Sequence, residues 1–244
     1  MVKFNKLSYM KGEEKMGDNK DKYIYLDKAT EFFRVRNYRG TIENCNKVIE
    51  IDDKEIEAYI IRGNCHAMFE EYEEAIDDYS KAIEIDNNII GIYNNRGNCY
   101  DELGKYEEAI KDYSAAIELD KDYVKPYFNR AISYEKIKKY NKAIEDYSKA
   151  IKIDDKYVMS YNKRANCYEK LGKYEEAIES YSKSIKIYDN DEWVYYNRGI
   201  CNTKLEKYEQ AIDDFCKSIE INNENELAYD KRESCYEKLK DMNK

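Results

Sequence analysis

The chain has 244 residues, 38% of them charged, and carries a formal net charge of −9. This acidic balance argues against a nucleic-acid-binding protein, because phosphate contacts need a basic face. The sequence contains neither a run of 18 apolar residues nor the apolar core of a secretory signal, so we expect no contact with a membrane and predict a cytoplasmic protein.

Residues 1–21 follow no repeated pattern, and their glycines and mixed charges predict a disordered tail. From residue 22 onward the sequence repeats itself with a period of 34 residues, and the stretch from Tyr93 to Asp120 is its clearest copy. A fixed period of this length indicates an array of one supersecondary unit. The predicted units span 22–55, 56–89, 90–123, 124–157, 158–191 and 192–225, and a helix over 226–244 is predicted to cap them.

Within each unit, apolar and small residues recur at helical spacing, which predicts two helices joined by a tight turn. In the third unit the first helix is predicted to bury Gly97 and Tyr100, and the small Gly97 and Ala109 allow the two helices to approach closely. Gly104 and Gly172 mark two of the turns, where glycine adopts a positive φ at little cost.

This pattern resembles the tetratricopeptide repeat (TPR) family, whose units are helix–turn–helix hairpins of 34 residues. The third unit has Tyr93, Gly97, Tyr100, Ala109 and Tyr113 at signature positions of the family. Tyrosine replaces the signature tryptophan, arginine occupies the leucine position and the closing proline is absent. The resemblance implies an all-α fold, a right-handed α-solenoid in which the first helix of each unit lines a concave groove that holds a protein or peptide ligand.

From the second unit to the sixth, an arginine occupies the buried side of the first helix, where a charge needs a partner. Aspartates recur on the second helices with the same period, and Ser180 interrupts their series. We therefore predict a ladder of ion pairs between packed helices, with Arg164 or Arg198 short of a carboxylate. The predicted ladder consists of Arg62, Arg96, Arg130, Arg164, Arg198, Asp78, Asp112, Asp146 and Asp214.

The resemblance also places a row of asparagines and lysines along the groove. An asparagine amide carries both a donor and an acceptor, so it can pair with the backbone of an extended peptide whatever its sequence. The alternative is that asparagine is merely abundant in this chain and lies on a solvated face. The predicted peptide-binding residues are Asn64, Asn94, Asn95, Asn98, Lys125, Asn129, Asn162, Lys163, Asn166 and Asn197.

Other features of the predicted groove are weaker. Trp193 and Tyr196 form an aromatic patch near its far end. The clamp by which co-chaperones of this fold grip a C-terminal carboxylate is incomplete, since Ile60 and Asn129 occupy two of its basic positions. No strong field of one sign is expected, because eight acidic residues oppose eight basic ones. They are Asp27, Glu57, Asp101, Glu102, Glu135, Glu169, Asp230 and Glu237 against Arg34, Lys125, Lys136, Lys163, Lys170, Lys204, Lys231 and Lys238.

The sequence shows no catalytic, cofactor-binding or metal-binding motif. The one histidine, His66, takes a packing position of the repeat, and the cysteines lack zinc-site spacing and are predicted to be buried thiols. We predict a non-enzymatic scaffold for protein interactions. Two alternatives remain open at this point: a co-chaperone-type adaptor, which would require a free carboxylate on its ligand, and a self-assembling structural protein, whose mass would rise with concentration as a homo-oligomer forms.

Overall fold

In the computed structural model, residues 18–242 are described, and they form thirteen helices with no strand among them. The all-α repeat-solenoid class predicted from the 34-residue period is confirmed. The helices are α1 (Asp18–Arg34), α2 (Tyr38–Ile51), α3 (Ile56–Met68), α4 (Tyr72–Ile85), α5 (Ile90–Glu102), α6 (Tyr106–Leu119), α7 (Val124–Lys136), α8 (Tyr140–Ile153), α9 (Val158–Lys170), α10 (Tyr174–Ile187), α11 (Glu192–Lys204), α12 (Tyr208–Ile221) and α13 (Glu226–Met242).

The chain divides into two compact units, residues 1–99 and residues 100–244. In the first unit, α1 packs against α2, α2 against α3 and α3 against α4. Leu26, Val48 and Ile61 are core residues contributed by α1, α2 and α3. Helix α1 begins at Asp18, so the last four residues of the predicted disordered tail, 18–21, are helical, and the rest of that tail lies outside the described residues.

In the second unit, each helix from α6 to α12 packs against the next one along the chain. The even-numbered helices bury small and aromatic residues at helical spacing, such as Ala143, Tyr147 and Ala150 in α8. Close approach also requires small residues on the odd-numbered helices. A Cβ atom on Gly199 of α11 would lie 2.8 Å from the Phe215 ring of α12. The core of this unit therefore lies between successive helices.

A residue with positive φ is the middle residue of each of six odd-to-even turns in the described part of the chain. Gly104 and Gly172 adopt φ values of +71°, which confirms their prediction as turn residues. The other four are not glycines, and nothing in the repeat pattern predicted their strained backbone. They are Arg36, Glu70, Lys138 and Glu206, with φ values of 61°, 63°, 59° and 59°.

The connection from an even helix to the next odd helix contains a recurrent hydrogen bond between an aspartate side chain and the backbone. Asp120 follows α6, and its Oδ1 accepts a hydrogen bond of 2.9 Å from the backbone N–H of Asp122. Asp154 follows α8 and accepts the corresponding bond of 3.0 Å from Lys156. This aspartate turn competes with continued helix formation, and it therefore fixes where the even helix ends.

Candidate peptide-binding face

The predicted arginine ladder has a defined geometry in the second unit. Arg130 of α7 donates from Nε and Nη2 to the two carboxylate oxygens of Asp146 in α8, at 2.7 and 2.8 Å. Its Nη1 donates to Ser114 Oγ in α6 at 2.8 Å. A single guanidinium thus connects an odd helix to the even helices on both sides of it, with its planar fork matched to the carboxylate.

The same arrangement recurs at Arg198 of α11. Its Nη2 and Nε donate to Asp214 Oδ1 at 2.6 and 3.0 Å, and its Nη1 donates to Ser182 Oγ at 2.9 Å. Burial raises the pKa of Asp214, although the hydrogen bonds from Arg198 oppose that change. The guanidinium also lies over a tyrosine ring three residues earlier in its own helix, 5.6 Å from the Tyr195 centroid.

Arg164 of α9 has no carboxylate among its hydrogen-bond partners in the described chain, whereas Arg198 has Asp214. The Nε of Arg164 donates to Ser180 Oγ at 3.3 Å and its Nη1 to Ser148 Oγ at 3.1 Å. The serines on the preceding even helix, Ser114, Ser148 and Ser182, were not identified from the sequence. They lie sixteen residues before each arginine, and this regular offset is the signal that could have revealed them.

The first unit contains a rung of the same kind. Arg62 donates from Nη2 and Nε to Asp78 at 2.6 and 2.9 Å. Its Nη1 donates to Asn46 Oδ1 at 2.6 Å, so asparagine takes the place of the serine. In the same unit Arg96 Nη1 donates to Ser80 Oγ at 2.8 Å. Asp112, the predicted ladder residue of α6 in the second unit, is buried. Arg62 and Arg96 thus connect their own odd helices to neighbouring even helices.

A stripe beside the buried seam of the odd helices is the candidate binding surface in the second unit. It consists of the second, fifth, ninth, twelfth and thirteenth residues of α7, α9, α11 and α13, which helical periodicity places on one side of each helix. We call it the odd-helix stripe. Its residues are Lys125, Phe128, Ile132, Glu135, Lys136, Met159, Asn162, Asn166, Glu169, Lys170, Trp193, Tyr196, Ile200, Thr203, Lys204, Leu227, Asp230, Ser234, Glu237 and Lys238.

Two carboxylates of this stripe accept hydrogen bonds from buried tyrosines on the even helix that follows in the chain. Tyr147 of α8 donates its hydroxyl to Glu135 at 2.8 Å. The one hydroxyl proton of Tyr181 in α10 is shared between Asn166 and Glu169, whose carboxylate lies 3.4 Å away. Glu169 also accepts a weak bond of 3.9 Å from the Cys201 thiol. Burial raises the pKa of both tyrosines, so they remain protonated donors. These two stripe carboxylates therefore have internal hydrogen-bond partners.

Asp101, at the end of α5, occupies the equivalent twelfth position of its helix. It accepts from the Tyr113 hydroxyl at 2.9 Å and from the Ser133 hydroxyl at 2.7 Å. Burial raises the pKa of this carboxyl, while the two hydrogen bonds favour its ionised form. The tyrosine-to-carboxylate contact is thus a second recurrent connection between helices, and the sequence did not reveal it.

The predicted groove asparagines of the first unit differ in accessibility. Asn94 is 5% exposed, so its prediction as a ligand-contacting residue needs correction: its side chain is enclosed by the fold. Asn64 accepts from the Tyr79 hydroxyl at 2.8 Å and from Asn95 Nδ2 at 3.2 Å. Asn98 is exposed. Two of these amides therefore bond to each other, and Asn98 is the accessible one.

In the second unit, Asn129, Asn162, Lys163, Asn166 and Asn197 are half-buried. Lys125 is exposed. The amide oxygen of Asn166 accepts a short hydrogen bond from the Tyr181 hydroxyl. The amide oxygen of Asn162 is buried and has no hydrogen-bond partner within the described chain. Because this oxygen is enclosed, a ligand cannot reach it in this conformation of the side chain.

Two rows at the edges of the stripe were not part of the predicted site. The second residues of α9, α11 and α13 form an apolar row, in which Met159, Trp193 and Leu227 are 53%, 49% and 51% exposed. The Trp193 ring packs edge-on against Tyr196 with centroids 5.8 Å apart. The thirteenth residues form a lysine row, whose members are Lys136, Lys170, Lys204 and Lys238, all exposed. From the sequence, these lysines were expected to be neutralised by neighbouring carboxylates.

Reactive side chains elsewhere are enclosed. His66 Nδ1 lies 2.6 Å from Glu71 Oε2, and its side chain is largely buried. Burial raises the pKa of the Cys167 and Cys201 thiols to about 12, which keeps them protonated and unreactive at neutral pH. Within residues 18–242 no cluster of three or more metal-ligating side chains occurs, and no helix is long and apolar enough to cross a membrane.

Comparison with known proteins gives one family and a large set of similar folds. The sequence profile of the tetratricopeptide repeat matches residues 56–89, 91–123, 124–157, 158–191 and 193–225. No curated protein sequence matches the chain. Among solved structures, YrrB, described as a TPR protein with an unusual peptide-binding site, is similar with a TM-score of 0.68 and 21% identity, over 78% of this chain and 97% of YrrB.

Two further structures show the same fold. The MamA protein is 23% identical, with a TM-score of 0.68 over 70% of this chain and 93% of MamA. The pilF protein of Pseudomonas aeruginosa is 18% identical, with a TM-score of 0.69 over 89% of this chain and 99% of pilF. Identities this low establish similarity of fold and do not identify a shared partner.

Proposed function

The chain belongs to the tetratricopeptide repeat family, and on this basis we propose that it is a protein-interaction scaffold that binds a segment of a partner protein along the odd-helix stripe of residues 100–244. Each repeat presents the same five positions to this surface, so a partner lying across successive helices meets equivalent side chains once per repeat.

The observation that carries this proposal is the apolar row, whose exposed residues occupy the same position in successive odd helices. Met159, Trp193 and Leu227 occupy the second position of three successive odd helices, and each remains about half exposed on a heavily charged surface. Scattered exposed apolar residues are ordinary, but a row repeated at one register provides a continuous contact surface. Tryptophan is also among the residues that contribute most to binding energy at protein interfaces.

Half-buried asparagines on and beside the stripe fit the same assignment. Asn162 is a half-buried residue of the stripe, and Asn197, at the sixth position of α11, is half-buried and lies outside the five stripe positions. We propose that these amides pair with the backbone of the bound segment. Asn166 contributes less, because its oxygen already accepts from Tyr181.

Affinity capture from a lysate of the source cells tests the proposal. The wild-type chain is compared with a Met159→Glu/Trp193→Glu/Leu227→Glu variant, in which three half-exposed side chains become charged without disturbing the core. A matched control, Ile187→Glu/Tyr188→Glu, changes exposed apolar residues at the end of α10. We expect partners to be retained by the wild type and the control and lost by the triple variant, with unchanged thermal melts. Retention of the same partners by all three proteins would place binding elsewhere.

A further inference from the structure

We propose that the segment bound by the odd-helix stripe is an amphipathic helix with one apolar side and one acidic side. This inference rests on the proposed function and specifies the chemistry of the partner. It follows from the two edges of the stripe, which differ in chemical character. One edge is the apolar row of Met159, Trp193 and Leu227, and the other is the lysine row of Lys136, Lys170, Lys204 and Lys238.

The charge available to a ligand differs from the charge counted along the sequence. Glu135 is half-buried and accepts a hydrogen bond from Tyr147. The half-buried Glu169 accepts two weaker ones, from the Cys201 thiol and from Tyr181, whose one proton is shared with Asn166. Internal donors therefore occupy part of the acceptor capacity of both carboxylates. The lysines that follow them in sequence are exposed, and none of the four row lysines takes part in an ion pair of the described residues. From α7 to α11, the second edge of the stripe therefore presents mainly ammonium donors, which are matched by carboxylates, whereas on α13 the exposed Glu237 accompanies Lys238.

The spacing between the rows favours a helix over an extended strand. The second and thirteenth residues of one odd helix are eleven residues apart, which corresponds to roughly 16 Å along the helix axis at 1.5 Å per residue. A helix with its side chains is about 10–12 Å wide, so it can contact both rows with long side chains. An extended strand occupies only about 5 Å in its own sheet, and it would leave one row unoccupied.

The surface between the apolar row and the lysine row also fits an amphipathic helix. Tyr196 and Ile200 of α11 provide half-buried apolar surface beside the exposed Trp193 ring. Apolar residues of the bound helix would pack there and against the apolar row, while its Glu or Asp side chains would face the lysine row. A helix presenting apolar anchors at i, i+3, i+4 and i+7 is a recurrent ligand for apolar grooves.

Selection from a random library of 16-residue peptides reveals which ligand chemistry the surface prefers. The full chain is the bait, and selected peptides are remeasured by fluorescence anisotropy. We expect the enriched sequences to combine apolar residues at helical spacing with acidic residues on the opposite side. The chain has one tryptophan, so peptide binding at the apolar row should also shift Trp193 emission to shorter wavelength.

Two variants and one matched control decide the outcome. Lys136→Gln/Lys170→Gln/Lys204→Gln should weaken binding of the selected peptide by about tenfold, since each partly exposed ion pair contributes modestly. Trp193→Ala should weaken it by about 30-fold or more if this ring is an interface hot spot. Lys149→Gln/Lys152→Gln/Lys183→Gln removes the same charge from exposed positions of α8 and α10, and should leave affinity unchanged.

The possible results separate this inference from the proposed function. Enrichment of basic or uncharged peptides that still lose affinity with Trp193→Ala would overturn the acidic-helix proposal and leave the stripe as the binding site. Acidic peptides with no helical spacing would overturn the helical part of the proposal. Peptides that bind equally to every variant, or the absence of any enriched peptide, would overturn both.

Discussion

The repeats over residues 124–157 and 158–191 share the same helix lengths and the same arginine position, yet they satisfy their buried polar groups differently. In the first, Arg130 has the Asp146 carboxylate and the Ser114 hydroxyl. In the second, Arg164 has two serine hydroxyls. Serine contacts are therefore enough to orient this arginine between even helices, and the carboxylate is an additional interaction present in one of the two repeats.

The second of these repeats also has more unsatisfied polar atoms. Ser160 and Ser184 are completely buried, and their hydroxyls have no hydrogen-bond partner within the described chain. The equivalent positions of the preceding repeat hold Pro126 and Ala150, which bring no such requirement. Each unpaired buried group costs about 1–3 kcal/mol. We infer that residues 158–191 form the locally less stable repeat of the pair, and these residues lie within the proposed binding surface.

Removing the carboxylate from the better-satisfied repeat has the largest expected effect. Asp146→Ala leaves the largely buried Arg130 charge unpaired, and we expect a loss of about 3–5 kcal/mol in the free energy of unfolding. Urea denaturation followed by circular dichroism measures it. Because repeat proteins can unfold in parts, hydrogen exchange of the α7 and α8 amides should show the same loss locally.

The corresponding change in the other repeat is the control. Ser180→Ala removes one neutral partner of Arg164, and we expect a loss of no more than about 1.5 kcal/mol. The double variant Arg130→Leu/Asp146→Leu should recover most of the stability lost by Asp146→Ala, since it leaves no unpaired charge. Equal losses for Asp146→Ala and Ser180→Ala would show that the carboxylate is not what distinguishes the two repeats.

Replacing the unsatisfied serines should raise the stability of the second repeat toward that of the first. Ser160→Ala/Ser184→Ala removes two buried hydroxyls without partners in the described chain, and we expect a gain of about 2 kcal/mol in the free energy of unfolding. Ser218 is the matched control, because its hydroxyl accepts from Asn225 at 3.2 Å. Ser218→Ala should give no gain. A decrease in stability for the double variant, measured by denaturation, would refute the inferred cost.

The repeat period made the fold predictable, because six copies in one register define the same two helices. The Arg130 and Arg198 rungs were predictable for the same reason, since arginine and aspartate recur at a constant offset. The environment of Glu135 and Glu169 was not, because it depends on tyrosine hydroxyls that reach them from another helix. The balance of groove charges was therefore counted without knowing which carboxylates have internal partners.

Burial of individual side chains was also beyond the repeat pattern. Asn94 occupies the same repeat position as Phe128, and both are 5% exposed, whereas Asn162 at that position is half-buried. Repetition of a residue type at one helix position indicates that these side chains point to the same side of their helices. It does not determine how deeply each side chain is buried. The backbone strain at Lys138 was missed because turn prediction relied on glycine.

The turns offer a smaller test of the same two repeats. Lys138 has a φ of 59°, whereas Gly172 at the equivalent position has a φ of +71°. A lysine in this left-handed region is strained, so we expect Lys138→Gly to stabilise the first repeat by about 0.5–1 kcal/mol after the greater flexibility of unfolded glycine is included. Gly172→Lys should destabilise the second repeat by a similar amount. Thermal denaturation of both variants measures the effect, and a shared direction of change would contradict the explanation.

Adding the missing carboxylate should have the smallest effect. Ser180→Asp places next to Arg164 the group that Arg198 has in Asp214, but we expect a change of less than about 1 kcal/mol because desolvation offsets the attraction. Burial raises the pKa of Asp214 even beside Arg198. If the new carboxyl behaves likewise, the folded protein binds its proton more tightly than the unfolded chain does, so the stability of the variant relative to wild type should increase as the pH falls from about 7 to about 4.5. Ser180→Asn is the uncharged control and should show no such trend. If the relative stability instead decreases as the pH falls, pairing with Arg164 lowers the pKa of the new carboxyl. The second repeat can then be given the ionic contact of the first repeat without the cost of burial.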